Sequence, residues 1–229
     1  MNIAIIPARG GSSRIPGKNI KLFAGKPIIA YSIEAAKASE VFDRIIVSTD
    51  SGKIAKVAIA YGAEVPFLRP KKLSDDHTPT APVIAHALQW FKDRGHIFEF
   101  ACCIYATAPF VKPEFLKEGY EIIAKHNVTS VFSITTYSFP IFRSLRITDK
   151  GTLAMFWPEH ELTRSQDLPE AYHDAGQFYW LKVDSFLESR KIYNSDAMPV
   201  MLPRYLVQDI DTPEDWITAE RMFNAFREE

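Results

Sequence analysis

Cysteine, net charge and long apolar runs are what this chain has least of, and each shortage removes a class of protein. Two cysteines occur in 229 residues, adjacent at Cys102 and Cys103, where ordinary disulfide geometry between neighbours is hard to reach. No CxxC or Cys/His ligand spacing accompanies them, so neither a disulfide framework nor a zinc site is expected, and both read as buried strand residues. The formal net charge is −1, too small for a global pull on nucleic acid or an anionic membrane, so any polyanion must be held by a local cluster of cations. Nowhere do eighteen apolar residues run together, and no basic stretch leads into an apolar core and cleavage site near Met1. That predicts a cytoplasmic protein that does not engage a membrane. GxGxxG and GxxxxGK[ST] are missing too, which leaves a hydride-transfer enzyme poorly supported.

What is present is an alternation of short apolar and amphipathic segments. Strands are predicted near 2–7, 45–49, 64–68, 100–105 and 130–135, with helices near 27–38, 52–61, 79–94 and 113–126 between them. Asp50 or Ser51 can cap the helix that ends at Gly62, and Ile84, Ala87, Leu88 and Phe91 share one apolar face. The rhythm implies an α/β fold with βαβ units on a mostly parallel sheet, where ligands sit outside the carboxyl ends of the strands. A hydrophobic share of 47% suits one such core.

From about Ser138 to Tyr172 the rhythm breaks. This stretch is aromatic and proline-punctuated, with a hairpin predicted around Asp149-Lys150-Gly151. Phe139, Ile141, Phe142, Leu153, Met155, Phe156 and Trp157 are many apolar groups for a solvated arm, so 138–172 is expected to leave the main domain (1–137 and 173–229) and to meet the same arm of a second subunit. The sheet should resume at 176–181, followed by a helix near 184–190, a strand around 206–210 and a closing helix from Pro213.

Two constellations carry chemistry. After the first strand, "IPARGGSSRIPGKN" runs from Ile6 to Asn19. Within it, Ala8-Arg9-Gly10-Gly11-Ser12 can bring backbone N–H groups close to phosphate oxygens, because glycine removes the side chain that would hold them apart. Arg9, Arg14 and Lys18 add full charges. A nucleoside triphosphate carries about four negative charges, which three cations and a magnesium ion would roughly balance. The second constellation is "QDIDTPEDW" at 208–216. Alternation along a strand end would put Asp209 and Asp211 on one face, where their mutual repulsion invites a divalent cation, with magnesium the best match to hard oxygen ligands. Thr212, Pro213, Glu214 and Asp215 read as the cap and first turn of the last helix.

"IPARGGSSRIPGKN", "RPKKLSDDHTPT" with His86 beyond it, "YATAP", "TRSQDLP" and "DIDTPEDW" together resemble the ordered motifs of the CMP-sialic acid synthetase family, nearly end to end. The resemblance implies a Rossmann-like nucleotide-binding domain with a small β-rich dimerisation arm. It also implies a magnesium-dependent reaction in which CTP and a nine-carbon α-keto acid sugar give a CMP-sugar and pyrophosphate. Carried over by position, Arg9, Ser12, Lys18 and Asn19 would meet the triphosphate and nucleotide, Arg69 and Thr80 would hold CTP, and Asp209 and Asp211 match the metal aspartates. Asp211 is expected as a direct ligand, with Asp209 on the same ion, on a second ion or acting through water.

Departures from the family pattern are informative. Ser13-Arg14-Ile15 stands where the family often reads SKG, so Arg14 would replace a lysine as a charge on the departing pyrophosphate, without any acid role. Tyr105 and Ala175 stand where sialic-acid members carry amides in LQPTSP and NG. An unpaired sugar hydroxyl in a buried pocket costs about 1–3 kcal/mol, so a less hydroxylated sugar is favoured. "YHDAGQFYWL" is similar to the branch acting on pseudaminic acid, and the expected sugar contacts are Tyr105, Thr107, Arg164, Gln166, His173, Asp174 and Gln177. The rivals are synthetases for sialic, legionaminic or eight-carbon ulosonic acids and a nucleotide-binding module without catalysis.

Overall fold

The first apolar run is buried on both faces, which a strand achieves only inside a sheet covered by helices on each side. In the computed structural model, which describes residues 1–226, this run is β1 (Asn2–Pro7), and Ile3, Ala4, Ile5 and Ile6 are each fully buried. The chain continues through β2 (Leu22–Phe23), β3 (Lys26–Pro27), α1 (Ile28–Ala38), β4 (Arg44–Ser48), α2 (Gly52–Ala60), α3 (Thr80–Lys92), β5 (Phe100–Ile104) and α4 (Pro113–Lys125). It closes with β6 (Ser130–Thr136), β7 (Leu145–Ile147), β8 (Leu153–Met155), β9 (Tyr172–Lys182), α5 (Val183–Ser189), β10 (Met198–Met201) and α6 (Pro213–Ala225).

The main sheet has the order β10-β6-β9-β5-β1-β4. β1 runs parallel to β4 and β5, and β10 parallel to β6, while β9 lies antiparallel between β5 and β6. Period-two alternation divides the core. Ala4 and Ile6 face a cluster built with Ile29 and Ile33 of α1 and Leu116 of α4, whereas Ile3 and Ile5 face Ile84, Leu88 and Phe91 of α3 and Phe186 of α5. Cys102 and Cys103 fall on opposite faces of β5 as free, buried thiols, and burial pushes both up from their ordinary pKa.

Two predicted strands are corrected. The 64–68 segment makes only isolated bridges, Ile46 with Glu64 and Thr49 with Leu68. Pro66 between them has no N–H to give, which interrupts any ladder. The segment near 206–210 is a short helical turn, Arg204–Leu206, followed by irregular chain. The strand beside β6 is instead β10, at the sheet edge, where Pro199 is tolerated.

Between β6 and β9 the chain leaves the sheet and forms the β7–β8 hairpin, which turns at Gly151 with φ of 75°. Phe142, Phe156 and Trp157 pack on one another there, but Phe139, Leu153 and Leu162 stay 83%, 69% and 94% exposed.

A third apolar cluster sits where the loops meet. It joins Ile15 of the basic loop, Ile28 of α1, Ile210, and Trp216 and Ala219 of α6. Residues far apart in sequence are thereby clamped on either side of the charged groups described below.

α4 approaches β9 closely through Gly119, where a Cβ would lie 2.6 Å from Cδ1 of the fully buried Trp180, whose indole N–H donates to the Leu116 carbonyl at 3.0 Å. Gly119→Ala should therefore overpack the core at a cost of about 1–3 kcal/mol. Thermal unfolding would then show a Tm lowered by roughly 2–10 °C, and an unchanged Tm would contradict this packing.

Candidate active site

The loops following β1 and β5 and the loop entering α3 enclose a cavity of about 220 Å³. Arg9, Ser12, Arg14, Lys18 and Asn19 line it from the loop after β1, Tyr105 and Thr107 from the loop after β5, and Arg69 and Thr80 from the segment entering α3. Most residues expected around the nucleotide are thus brought together. Asn19 is buried and donates to the Arg9 carbonyl at 2.9 Å, which fixes the loop across its own base. Arg69 is 5% exposed, and its Nε donates to Ser74 Oγ at 3.1 Å. Burial lowers its pKa, Asp50 opposes that shift and Arg9 adds to it, but a guanidinium remains charged at neutral pH.

The expectation for the backbone amides needs correction. Ala8 is buried in the core and its N–H extends the ladder to Ser48 O at 2.9 Å. The Gly10 N–H donates to Asp50 Oδ1 at 2.8 Å. Gly10 sits close to its neighbour, since a Cβ there would lie 3.1 Å from Ser51 Cβ. Gly11 is exposed with open space around it, and neither glycine lines the cavity.

Carboxylates occupy the cations. Arg9 pairs with Asp76, Arg14 with Asp211 at 2.9 Å, and Lys18 with Asp211 at 3.3 Å. Lys18 Nζ also donates to the Ile210 carbonyl at 2.7 Å. The Asp211 backbone is set by the last helix. Thr212 and Asp215 form a reciprocal capping box, and Asp215 Oδ2 also accepts the Asp211 N–H at 3.0 Å. Although 209–211 is not a strand, Ile210 is buried at 1% exposure while Asp209 and Asp211 remain open to solvent. The Asp209 carboxyl is raised above the usual range, first by desolvation from surrounding protein and then by repulsion from Asp211, with Lys18 opposing.

Among the described residues no group of three or more His, Cys, Asp or Glu is placed to hold a metal. The pair Asp209 and Asp211 fits magnesium in another sense, because that ion is commonly held by one or two carboxylates together with substrate phosphates and water.

The expected sugar residues separate into groups. Tyr105 and Thr107 line the cavity, and the Tyr105 hydroxyl lies 3.2 Å from Thr80 Oγ1. Arg164 and Gln166 are exposed on the arm, and Gln166 lines a different groove, of about 830 Å³, at the arm's base. His173 Nδ1 approaches the Asp174 carbonyl at 2.9 Å, and its ring packs on Tyr137. Gln177 is 3% exposed and donates to the Leu206 carbonyl at 2.5 Å, so it braces the chain that leads to Asp209. The Asp174 carboxylate accepts from the chain's own donors and not from the cavity. His86 packs edge-on to Phe67, but its buried Nδ1 lacks a protein partner, so it is a packing residue only partly satisfied.

Sequence reasoning missed Asp76 as the partner of Arg9 and Asp50 as the acceptor of the Gly10 N–H. The acidic pair in "LSDDHT" was visible, but its contact with Arg9 spans 67 residues and has no local signature.

A family profile described as "Cytidylyltransferase" matches residues 3–229. A pseudaminic acid cytidylyltransferase of Campylobacter jejuni is 41% identical over 227 residues, covering 99% of this chain and 98% of the relative. The CMP-N,N'-diacetyllegionaminic acid synthase of Legionella pneumophila is 35% identical, covering 99% and 97%. The solved structure of CMP:2-keto-3-deoxy-manno-octonic acid synthetase complexed with CTP superposes with a TM-score of 0.71 at 15% identity, covering 98% of both chains, a likeness of fold.

Because the Asp209 pKa is raised on folding, its ionised form opposes folding wherever it is charged in both states. Asp209→Asn should raise Tm at pH 7, and the gain should fade as pH falls through the folded pKa toward the ordinary value near 3.8. Thermal melts across pH 3 to 8 would read this, and a Tm gain that persists undiminished at the acid end would refute it.

Proposed function

The chain belongs to the cytidylyltransferase family, and on that footing we propose that it transfers CMP from CTP to pseudaminic acid, giving CMP-pseudaminic acid and pyrophosphate. The observation that carries the reading is the convergence of Arg9, Arg14 and Lys18 on one cavity, with Asp211 against two of them, in a chain 41% identical along its length to a pseudaminic acid cytidylyltransferase.

The chain's own groups suggest an exchange of anions. Arg9, Arg14 and Lys18 are paired with Asp76 and Asp211, at an opening where such pairs contribute only about 0–1 kcal/mol. A triphosphate of about four charges can displace them. Lys18 and Arg14 then neutralise phosphate oxygens, and Asp211, relieved of Arg14, becomes available with Asp209 to hold magnesium. That ion, when bound, supplies phosphate neutralisation and Lewis-acid polarisation. Tyr105 and Thr107 face the acceptor. The sugar's anomeric oxygen attacks the α-phosphorus in line, the bond to the β-phosphate oxygen breaks, pyrophosphate leaves, and the hydroxyl proton passes to solvent. Ala175 is buried in the core and does not line the cavity, so the support for a less hydroxylated acceptor comes from Tyr105, which stands on the cavity wall in place of an amide.

The exposed apolar groups of the arm support a homodimer through 138–172, and use of CTP supports a cytoplasmic location. A monomer mass at micromolar concentration would remove the dimer.

Mass spectrometry of the product from CTP and pseudaminic acid tests the main reading, with sialic, legionaminic and eight-carbon ulosonic acids run in parallel. Pseudaminic acid should be preferred, whereas CTP binding without pyrophosphate release would indicate a non-catalytic module. Asp211→Asn should abolish turnover with the circular dichroism spectrum retained, and full activity would reject its role. Arg14→Ala should lower kcat about a hundredfold; unchanged turnover would contradict its assignment to pyrophosphate.

A further inference from the structure

The irregular part of β9 lies beside the cavity and is organised around one carboxylate. Along the β6–β9 pairing, Phe132 faces Tyr179 and Ile134 faces Asp174, so two steps along β6 are matched by five along β9. The excess forms a bulge over 174–177, in which Gly176 adopts φ of 64°. Such bulges re-aim the chain next to functional sites.

Asp174 closes this bulge. Its Oδ1 accepts the Gly176 N–H at 2.8 Å, and its Oδ2 accepts the hydroxyls of Tyr179 at 2.7 Å and Tyr193 at 2.5 Å. Tyr179 is 2% exposed, and the Tyr105 ring packs against it at 5.4 Å between centroids. The Tyr105 N–H donates to the Gln177 carbonyl at 2.9 Å, at the other end of the same bulge. Tyr105 is therefore seated from two sides by elements that Asp174 holds, and it presents its hydroxyl to the cavity beside Thr80. Burial raises the pKa of Tyr179 and of Tyr193, so both phenols stay protonated as donors at neutral pH.

We propose that Asp174 is a positioning residue for the acceptor sugar, fixing the 174–177 bulge and the Tyr179 ring so that Tyr105 is held in place on the cavity wall. This replaces the expectation that Asp174 itself meets the sugar, and it rests on the reading that Tyr105 faces the acceptor.

Steady-state kinetics on the full chain test it, using whichever nonulosonic acid the wild type turns over, so an error in the sugar's identity would not mimic failure here. Asp174→Ala and Tyr179→Phe should each raise KM for the acceptor about tenfold while KM for CTP stays within about twofold. The double variant should be no worse than Asp174→Ala, because both act through the same contact. Acceptor KM unchanged in folded variants, a parallel rise in both KM values, or multiplied effects in the double variant would each overturn the inference. Should Asp174→Ala fail to fold, Tyr193→Phe at the exposed end of the network should still raise acceptor KM about threefold, and no change there would overturn it.

Discussion

Asp211 stands against Arg14 and Lys18, and that meeting of the first loop with the last is what the candidate site depends on. Lys18 and Asp211 are 193 residues apart in sequence. The attraction itself is weak, since ion pairs at an open surface contribute about 0–1 kcal/mol. Burying one isoleucine contributes about 1.5–3 kcal/mol, and Ile15, Ile210 and Trp216 are all at 3% exposure or less in one cluster. The apolar cluster therefore decides where the charges meet. Arg14 is carried next to Ile15, and Asp211 next to Ile210, so packing determines the geometry and leaves the ion pairs free to exchange.

That division of labour suits a site that must accept and release a highly charged ligand. Cations locked in deep, dry pairs would cost several kcal/mol to separate, whereas Asp76 and Asp211 occupy them at a solvent-open cavity. These carboxylates thereby keep the clustered cations compensated. On the proposed exchange of carboxylate for phosphate, binding should be weakened by salt in proportion to the pairs exchanged.

Periodic features were legible in the sequence. The buried strands, the positions of α1 to α4 and the apolar face of α3 follow from apolar spacing, and the site loops fell at strand ends as a parallel sheet requires. Proline-containing edges were not legible. Met198–Met201 carries Pro199 yet pairs with β6, while Glu64–Leu68 is apolar enough for a strand yet is broken by Pro66. Asp209 and Asp211 were expected to share a face through strand alternation. They do point outward around a buried Ile210, but the capping box and apolar cluster impose this on irregular chain. Contacts such as Arg9 with Asp76 and Asp174 with Tyr193 depend on loop closure and leave no periodic trace. The expectation of magnesium came from the paired aspartates as well as from motif resemblance, whereas the sugar class came from resemblance, because no spacing of residues encodes a hydroxyl pattern.

β9 connects the two regions that sequence reading had kept apart. It begins where the arm rejoins the sheet, passes through the Asp174 bulge at the cavity, and ends as the central antiparallel strand with Trp180 against α4. Its first residues are held only by β6, whereas its later ones are bonded on both sides. A strand end with one neighbour deforms more readily than a strand paired on both sides, so the carboxylate and two phenols around Asp174 supply there the fixation that a second ladder supplies further along. The same economy explains why Gly176 is needed: the chain must turn at positive φ to bring Gln177 back beneath Tyr105, and a side chain at that position would be strained.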